Sequence, residues 1–393
     1  MSARAIALID GEHYAPVVRD ALAALPYAFV GALLVGGNEK LRGGEDYGVP
    51  LVDTLDAVEA DLVVDLSDEP VLGPRERLLW ASRALALGLP YVGADFRFDP
   101  PPLHPVETPS LAVIGLGKRV GKTAVAGHVA RLLGADRRVV VVAMGRGGPA
   151  EPELFEEPPT LGDLLAFARA GRHAASDHLE TAALAGVPAV GCRRAGGGLA
   201  GAPFESNVLE GARLAEELEP ELLVFDGSGA ALPPIAADAR ILVTNGEFDA
   251  RGGLNAYRVL VSDLVVDTGG ADREAIRSIS DVPVVPAELR LRPSEPLGGR
   301  STAVFTTGPA PTDGLDAEVV HVSRNLARRE ALRDELEEVE AEVYLVELKA
   351  AAVDVVAEAA LARGAEVVLA ANDVVSDELD ERVLALVPDR SRA

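Results

Sequence analysis

The sequence predicts an α/β protein built from parallel sheets with helices on both faces. Short runs rich in β-branched residues alternate with Ala-, Leu- and Glu-rich segments along the whole chain, which is the pattern of such sheets. The middle runs are continuously apolar, as strands buried on both faces are. With 393 residues, 48% of them hydrophobic, the chain can bury about two or three cores. We therefore expect a parallel-sheet core and a smaller N-terminal α/β domain.

The first part of the chain is predicted to form the N-terminal α/β domain. The indicated elements are strands at residues 5–9, 29–35 and 61–66 and helices at residues 17–25 and 74–87. A Pro-rich stretch at residues 99–105 interrupts the periodicity and is typical of a linker. We assign residues 1–108 to this domain.

The middle part, residues 109–298, is predicted to be the core. An apolar strand opens it, and further buried strands are indicated at residues 138–144, 221–226, 240–244 and 263–267. A Pro-containing break at residues 291–299 follows. The tail, residues 299–393, has helices indicated at residues 326–338 and 350–363, and it either forms a third lobe or completes the core sheet.

The opening strand of the core ends in a Gly- and Lys-rich turn. Five residues separate Gly115 from Gly121 and three separate Gly117 from Gly121, so the spacing is a variant of the usual phosphate-binding loop. Such a turn aims backbone N–H groups at an anion where the helix dipole is positive. We expect Lys122 to reach the β/γ-phosphates of a nucleotide and Thr123 to contact Mg²⁺. The alternative is a strand-to-helix turn that binds nothing.

The turn resembles the loops of the P-loop class that contains dethiobiotin synthetase and the ParA and MinD ATPases. Some members carry an additional signature lysine early in the loop, and the nearest candidate here is Lys118, one place later than that pattern requires. The predicted nucleotide-binding set comprises Gly117, Lys118, Arg119, Gly121, Lys122 and Thr123. The fold prediction therefore becomes a P-loop NTPase-like core.

A second acidic signal follows the strand at residues 221–226. The strand ends at Asp226, and the sequence Gly-Ser-Gly comes directly after it. An apolar strand with a terminal carboxylate is typical of a Walker B strand, whose carboxylate holds Mg²⁺ directly or through water. The alternative is an ordinary aspartate at a strand-to-turn junction.

Two Gly-rich segments carry arginines and are predicted to be turns. Arg146 lies in the first of them, and Arg193 and Arg194 precede Gly197 in the second. The planar guanidinium group matches phosphate oxygens, and neighbouring glycines permit a close backbone approach. These residues therefore indicate a polyanionic second substrate. Arginines paired with surface carboxylates are the alternative.

The residues after the first predicted strand form another candidate site. Asp10 and His13 lie at the carboxyl end of that strand, where α/β sheets usually bind ligands. His13 could equally be a hydrogen-bonded loop residue, and Asp10 could cap the next helix.

Composition restricts the partners. The net charge of −25 disfavours general attraction to nucleic acid or anionic lipid, and no apolar run reaches the roughly 18 residues needed to span a bilayer. The N-terminal residues lack a signal-peptide pattern because Asp10 interrupts them. The single cysteine, Cys192, agrees with a reducing compartment, so we expect a cytoplasmic protein.

Together, these motifs resemble the cyclic 2,3-diphosphoglycerate synthetase family over essentially the full chain. The motifs that carry the resemblance lie at residues 9–18, 36–41, 117–123, 145–149, 176–180, 191–198, 225–229 and 347–352. The resemblance implies that ATP closes 2,3-diphosphoglycerate into its cyclic diphosphate, with release of ADP and phosphate. It implies catalytic roles for Lys118, Lys122 and Arg146 and a Mg²⁺ site at Thr123 and Asp226. The substrate-binding residues it indicates are Arg146, Arg193, Arg194, Gly197, Asp10 and His13, and we expect a homodimer.

One departure leaves an alternative open, because the strand ends at Asp226 where the family pattern more often has glutamate. A kinase that phosphorylates 2-phosphoglycerate would use the same nucleotide site. A ParA-like ATPase switch is a third hypothesis, but it needs the signature lysine in register and a basic or amphipathic tail, which residues 389–393 do not supply.

Overall fold

The computed structural model describes residues 2–69, 71–171, 177–308, 311–348 and 352–387. Three parts of the sequence motifs, namely Ser176, residues 349–351 and the tail 389–393, lie outside these residues. The chain divides into two compact units. The first comprises Met1–Pro102, Phe248–Val261 and Asp272–Val282, and the second comprises Leu103–Glu247, Ser262–Ala271 and Pro283–Ala393.

Strands and helices alternate through both units. The strands are β1 (Arg4–Ile9), β2 (Ala28–Leu34), β3 (Leu62–Asp65), β4 (Tyr91–Val92), β5 (Arg97–Phe98), β6 (Ser110–Gly115), β7 (Val139–Gly145), β8 (Glu153–Phe155), β9 (Ala189–Ala195), β10 (Glu205–Ser206), β11 (Leu222–Asp226), β12 (Ala239–Thr244), β13 (Leu264–Asp267), β14 (Val284–Pro286), β15 (Glu288–Pro293), β16 (Ser301–Phe305), β17 (Glu318–Ser323), β18 (Val343–Glu347) and β19 (Glu366–Val375). The helices are α1 (Ala15–Ala24), α2 (Pro74–Ala86), α3 (Lys122–Gly134), α4 (Leu161–Arg169), α5 (Asp177–Ala185), α6 (Val208–Glu216), α7 (Asn255–Leu260), α8 (Arg273–Arg277), α9 (Arg329–Leu336), α10 (Val353–Ala362) and α11 (Leu379–Leu386). The α/β class is confirmed, and within the described residues no helix combines the length and apolar character needed to cross a membrane.

The first unit contains a five-stranded sheet with strand order β2-β1-β3-β4-β5. β1 pairs in parallel with β2 and β3, and its last five residues are buried, as the continuous apolar run predicted. The three strands and two helices predicted before residue 99 are confirmed to within two residues.

The first unit also includes α7 and α8, which lie far along the chain from its other elements. α7 buries Ala256, Tyr257 and Val259 and packs on α2. α7 has only six residues, so its sequence carries little periodicity, and tertiary packing decides where it belongs.

The second unit contains two sheets. The larger has the strand order β10-β9-β7-β11-β6-β12-β13-β14, with β8 paired to β9, and β9 through β14 along this order are parallel. All six residues of β6, at its centre, are buried. The carboxyl ends of β7, β11, β6, β12 and β13 consequently lie along one edge, where such sheets bind ligands.

The strands of the tail pair with β15 in a separate sheet, the C-terminal sheet, with strand order β15-β19-β18-β16-β17. They therefore do not extend the larger sheet. The break predicted from residue 291 is wrong in its first part, because Leu291, Arg292 and Pro293 lie in β15. β15 is an edge strand that pairs antiparallel with β19, and an edge position tolerates a proline.

Candidate phosphate and nucleotide site

The predicted phosphate cradle lies between β6 and α3. Gly121 adopts a left-handed conformation with φ of 83°, which favours glycine, and Arg119 has a φ of 61°. Gly121 is the N-cap residue of α3 and offers no side chain to cap it. Backbone N–H groups in the first turn of a helix have no partner within the helix, so this turn can receive an anion.

Lys122 and Asp226 form a buried ion pair beside the cradle. Lys122 Nζ donates to Asp226 Oδ1, and the side chains are 8% and 0% exposed respectively. β11 pairs directly with β6, with Asp226 opposite Val113. Asp226 therefore lies beside β6 two residues before that strand ends at Gly115, where the cradle begins. Two predicted site residues from distant parts of the sequence are thus in contact.

The residues around this pair fit a magnesium ion held with a nucleotide. Thr123 follows Lys122 and is also buried, so a hydroxyl and a carboxylate are present as hard oxygen ligands. Among the described residues, no group of three or more His, Cys, Asp or Glu side chains could hold a metal ion by itself. Mg²⁺ is usually held by one or two carboxylates together with substrate phosphates and water, which suits this sparse set.

Lys118, Arg146 and Arg194 come together at the turn after β11, and we name them the cationic cluster. Arg194 Nη2 donates to the carbonyl oxygen of Ser228 at 2.8 Å. A Cβ atom placed on Gly229 would lie 2.6 Å from Arg146 Nη2 and 3.6 Å from Lys118 Cγ. Burial lowers the pKa of Arg194, and the positive charge of Arg146 lowers it further. The two guanidinium groups are therefore close enough to repel each other.

The cluster offers positive charge that carboxylates in the described parts of the chain do not neutralise. Within residues 2–69, 71–171, 177–308, 311–348 and 352–387, neither Lys118 nor Arg146 forms an ion pair, and the same holds for the exposed Arg119 and Arg193. In a protein with a net charge of −25, such cations favour an anionic ligand over surface pairing.

The predicted turn conformation is wrong for Arg193 and Arg194, which lie in β9. The strand continues through them because β10 pairs with it, with Ser206 opposite Arg194. This pairing is not visible in the local sequence. Gly197 lies just beyond the strand, where a Cβ atom would be 3.4 Å from Arg194 Nη1. Arg146 follows β7 in a bend, as predicted.

Gly148 fixes the loop that carries Arg146 against β9. A Cβ atom on Gly148 would lie 2.0 Å from the carbonyl oxygen of Cys192, so only glycine permits this approach. Cys192 is itself fully buried, and burial together with the charge of Glu210 raises the pKa of its thiol to about 12. The thiol is therefore a packing group of β9.

The other flank of the cradle uses residues that sequence reasoning missed. Thr268 Oγ1 donates to the carbonyl oxygen of Val120 at 2.8 Å, and it therefore fixes the cradle to the carboxyl end of β13. Thr268 comes directly after the predicted strand at residues 263–267, at the ligand-binding edge of the sheet, and this position could have identified it as a site residue. Leu289 Cδ1 would lie 2.8 Å from a Cβ atom on Gly121, and nothing in the local sequence indicates that contact.

Asp10 and His13 belong to the first unit, whereas the cradle belongs to the second. Asp10 is fully buried, and its Oδ1 accepts from the backbone amide of Glu12 and from Nδ1 of His13 at 2.7 Å. Its Oδ2 accepts from the amide of Asp68. Burial opposes ionisation, but the hydrogen bonds from Asp68, His13 and Glu12 outweigh it and lower the pKa of Asp10.

Asp10 therefore orients His13 instead of capping α1, whose N-cap residue is Tyr14. Nδ1 of His13 faces the Asp10 carboxylate, and Nε2 lies 3.6 Å from Oδ2 of Asp68. The His13 side chain is 31% exposed, so a ligand can reach it.

Comparisons with known proteins agree on one family. The family models described as cyclic 2,3-diphosphoglycerate synthetase N-terminal domain, P-loop domain and C-terminal domain match residues 4–99, 110–282 and 303–373. The chain is 47% identical to a protein of Rubrobacter xylanophilus named cyclic 2,3-diphosphoglycerate synthetase, covering 98% of this chain and 97% of that one. Proteins with the same name from Thermococcus kodakarensis and Pyrococcus furiosus are 42% and 38% identical, covering 94% and 97% of each chain.

A comparison with solved structures finds LpxK from Aquifex aeolicus in complex with ATP, at a TM-score of 0.44 and 16% identity. It covers 73% of this chain and 90% of that one.

Proposed function

The chain belongs to the cyclic 2,3-diphosphoglycerate synthetase family, and from that premise we propose how its residues carry out the reaction. The enzyme uses ATP to join the two phosphates of 2,3-diphosphoglycerate within one molecule, and it releases ADP and phosphate. We assign the residues to their roles on the basis of one observation, the cationic cluster beside the cradle.

The chemistry requires activation, because two phosphates joined directly have no good leaving group. In the first step, an oxygen of one substrate phosphate attacks the γ-phosphorus of ATP, and the bond to ADP breaks. In the second step, an oxygen of the other substrate phosphate attacks the activated substrate phosphorus and displaces inorganic phosphate. Both transition states concentrate negative charge, so stabilisation by cations is the main catalytic requirement.

The cradle holds the triphosphate of ATP. Residues 117–121 and the first turn of α3 supply backbone N–H groups, and Lys122 contacts the β/γ-phosphates. Lys118 and Arg119, both exposed at the loop, face the transferred phosphate. Thr123 and Asp226 would hold Mg²⁺, which when bound neutralises charge on the β- and γ-phosphates.

Lys122 must change partner when ATP binds. In the structure its ammonium group is bonded to Asp226, so it has to release that carboxylate to reach the phosphates. The released carboxylate is then available to the metal ion. One exchange therefore prepares both the lysine and the magnesium ligand, and neither charge is left buried alone.

The substrate phosphates occupy the cationic cluster. Arg146 contacts one phosphate through its planar fork, and Arg194, whose Nη atoms donate to the carbonyl oxygens of Gly196 and Ser228, adds its positive charge beside it. Arg193 and Gly197 extend the site along the end of β9. Because Arg146 and Arg194 repel each other, an anion between them is stabilised by both charges. Asp10 and His13 form a separate candidate binding element of the first unit, in which Asp10 orients the imidazole of His13 through Nδ1.

We also propose that the protein is a homodimer in the cytoplasm. The single cysteine, buried in the structure, supports a reducing compartment. Light scattering on purified protein, combined with size-exclusion chromatography, tests the dimer: a mass near 82 kDa, twice the 40.9 kDa of one chain, is expected.

The assignment of roles is tested by ADP release with and without 2,3-diphosphoglycerate. Wild-type protein is expected to release ADP only when the phosphorylated acid is present. Lys122→Ala should abolish release, whereas Arg300→Ala, which breaks an exposed ion pair with Glu366, should retain it. ADP release that persists in Lys122→Ala would overturn the assignment.

A further inference from the structure

The helix that begins at the cradle, α3, is held along its length by residues of the C-terminal sheet and of α11. At its start, Leu289 of β15 packs on the Cα atom of Gly121. Seven residues later, His128 Nε2 is 2.7 Å from Asp380 Oδ1 of α11. These contacts lie within one compact unit.

A further contact of α3 is with a shared carboxylate on β19. Asp373 Oδ1 accepts from Arg131 Nη2 of α3 at 2.9 Å and from Arg292 Nε of β15 at 2.9 Å. Arg292 Nη2 also donates to the carbonyl oxygen of Leu184 at the end of α5. One carboxylate oxygen therefore connects α3 to two strands, and through Arg292 to a second helix.

The two arginines would repel each other without Asp373. Burial lowers the pKa of Arg131, the charge of Arg292 lowers it further, and the charge of Asp373 opposes both effects. Removing the negative charge would leave two partly buried cations together, which would push α3 away from β15. α3 begins with Lys122 and Thr123, so a change in the position of the helix moves the two residues that are proposed to bind the phosphates and Mg²⁺.

We propose that Asp373 is a positioning residue for the ATP site: by bridging Arg131 and Arg292, it holds α3 where Lys122 and Thr123 can contact the phosphates. The C-terminal sheet is then part of the nucleotide site, although it supplies no residue of the cradle. The inference rests on the proposed ATP site and not on the cyclisation itself.

Asp373→Asn is the direct test, with Glu366→Gln as the matched control. Glu366 is the first residue of β19 and pairs with Arg300, away from α3. We expect Asp373→Asn to raise the dissociation constant of Mg-ATP about fivefold, and Asp373→Glu to recover most of the affinity. The KM for 2,3-diphosphoglycerate should stay unchanged in both variants.

A purely structural role for Asp373 would lower the midpoint of thermal unfolding in Asp373→Asn without changing ATP affinity. That result, or an equal loss of ATP affinity in Glu366→Gln, would overturn the proposal. Arg131→Lys, which keeps the charge but loses the planar fork, is a milder second variant, and we expect it to weaken ATP binding about twofold. Calorimetric ATP titrations need no turnover, so a protein that binds ATP but forms no cyclic product would refute the proposed reaction and leave this test intact.

Discussion

Replacing Asp226 with asparagine tests the exchange of Lys122 between carboxylate and phosphate. In the ligand-free protein this substitution leaves a buried ammonium group without its anion. Removal of one partner from a buried ion pair costs about 3–5 kcal/mol, and we expect the lower end because asparagine keeps a neutral acceptor. The unliganded Asp226→Asn protein should therefore unfold at lower denaturant concentration than wild type.

Although Asp226→Asn should be less stable than wild type, it should bind ATP more tightly when Mg²⁺ is removed. Wild-type Lys122 must leave Asp226 to reach the phosphates, and those phosphates then approach a buried carboxylate that lacks its metal. Both costs are smaller in Asp226→Asn, because the amide holds Lys122 less strongly and does not repel the phosphates. We expect ATP in excess EDTA to bind the variant about tenfold more tightly than wild type, a difference of about 1.4 kcal/mol.

Isothermal titration calorimetry with and without Mg²⁺ measures this effect. Magnesium should tighten ATP binding to wild type and change binding to Asp226→Asn little, while turnover in the variant is lost. Weaker or equal binding of metal-free ATP to the variant would refute the exchange. Asp238→Asn is a control that removes an aspartate directly before β12, where it accepts from the amide of Ser110.

Three further predictions concern other groups. Arg194→Ala removes charge-assisted contacts, so it should raise the KM for the phosphorylated acid about tenfold with little change in the KM for ATP. Both constants are measured by ADP release, and equal changes in the two would contradict the cluster assignment. Because burial raises the pKa of Cys192 to about 12, Ellman's reagent should label the native protein negligibly at pH 8 and completely in denaturant; rapid native labelling would count against its burial. The pKa of Asp10 is lowered from 3.8, so ionised Asp10 stabilises the fold above about pH 4, and this contribution is lost as pH falls further. The difference in urea midpoint between wild type and Asp10→Asn should therefore shrink below pH 4. A constant difference would argue against the hydrogen bonds assigned to Asp10.

The sequence was most informative about the site residues that lie at or directly after the end of a short apolar run. The run from Ser110 to Gly115 is apolar and short, and the glycines and Lys122 that follow it can be interpreted without knowledge of any partner strand. Asp226 was identifiable for the same reason, since it ends an apolar run. Their contact follows from the pairing of β11 with β6, which parallel-sheet rules favour but do not specify.

The rest depended on contacts between distant residues. Arg193 and Arg194 lie in a strand because β10 pairs beyond them, and α7 belongs to the first unit because it packs on α2. The contact of Arg131 with Asp373 joins residues separated by 242 positions, and the third member of the bridge, Arg292, lies in residues predicted to be a break. No local periodicity encodes such a contact, because it arises from the packing of α3 on β19.

Phosphorus-31 NMR of purified protein with Mg-ATP tests the central claim most directly. One sample receives 2,3-diphosphoglycerate and a parallel sample receives 2-phosphoglycerate. We expect signals of a cyclic diphosphate and free phosphate in the first sample only. Phosphorylation of 2-phosphoglycerate without any cyclic product would contradict the account and indicate a kinase, and loss of ATP that depends on neither acid would indicate an ATPase switch.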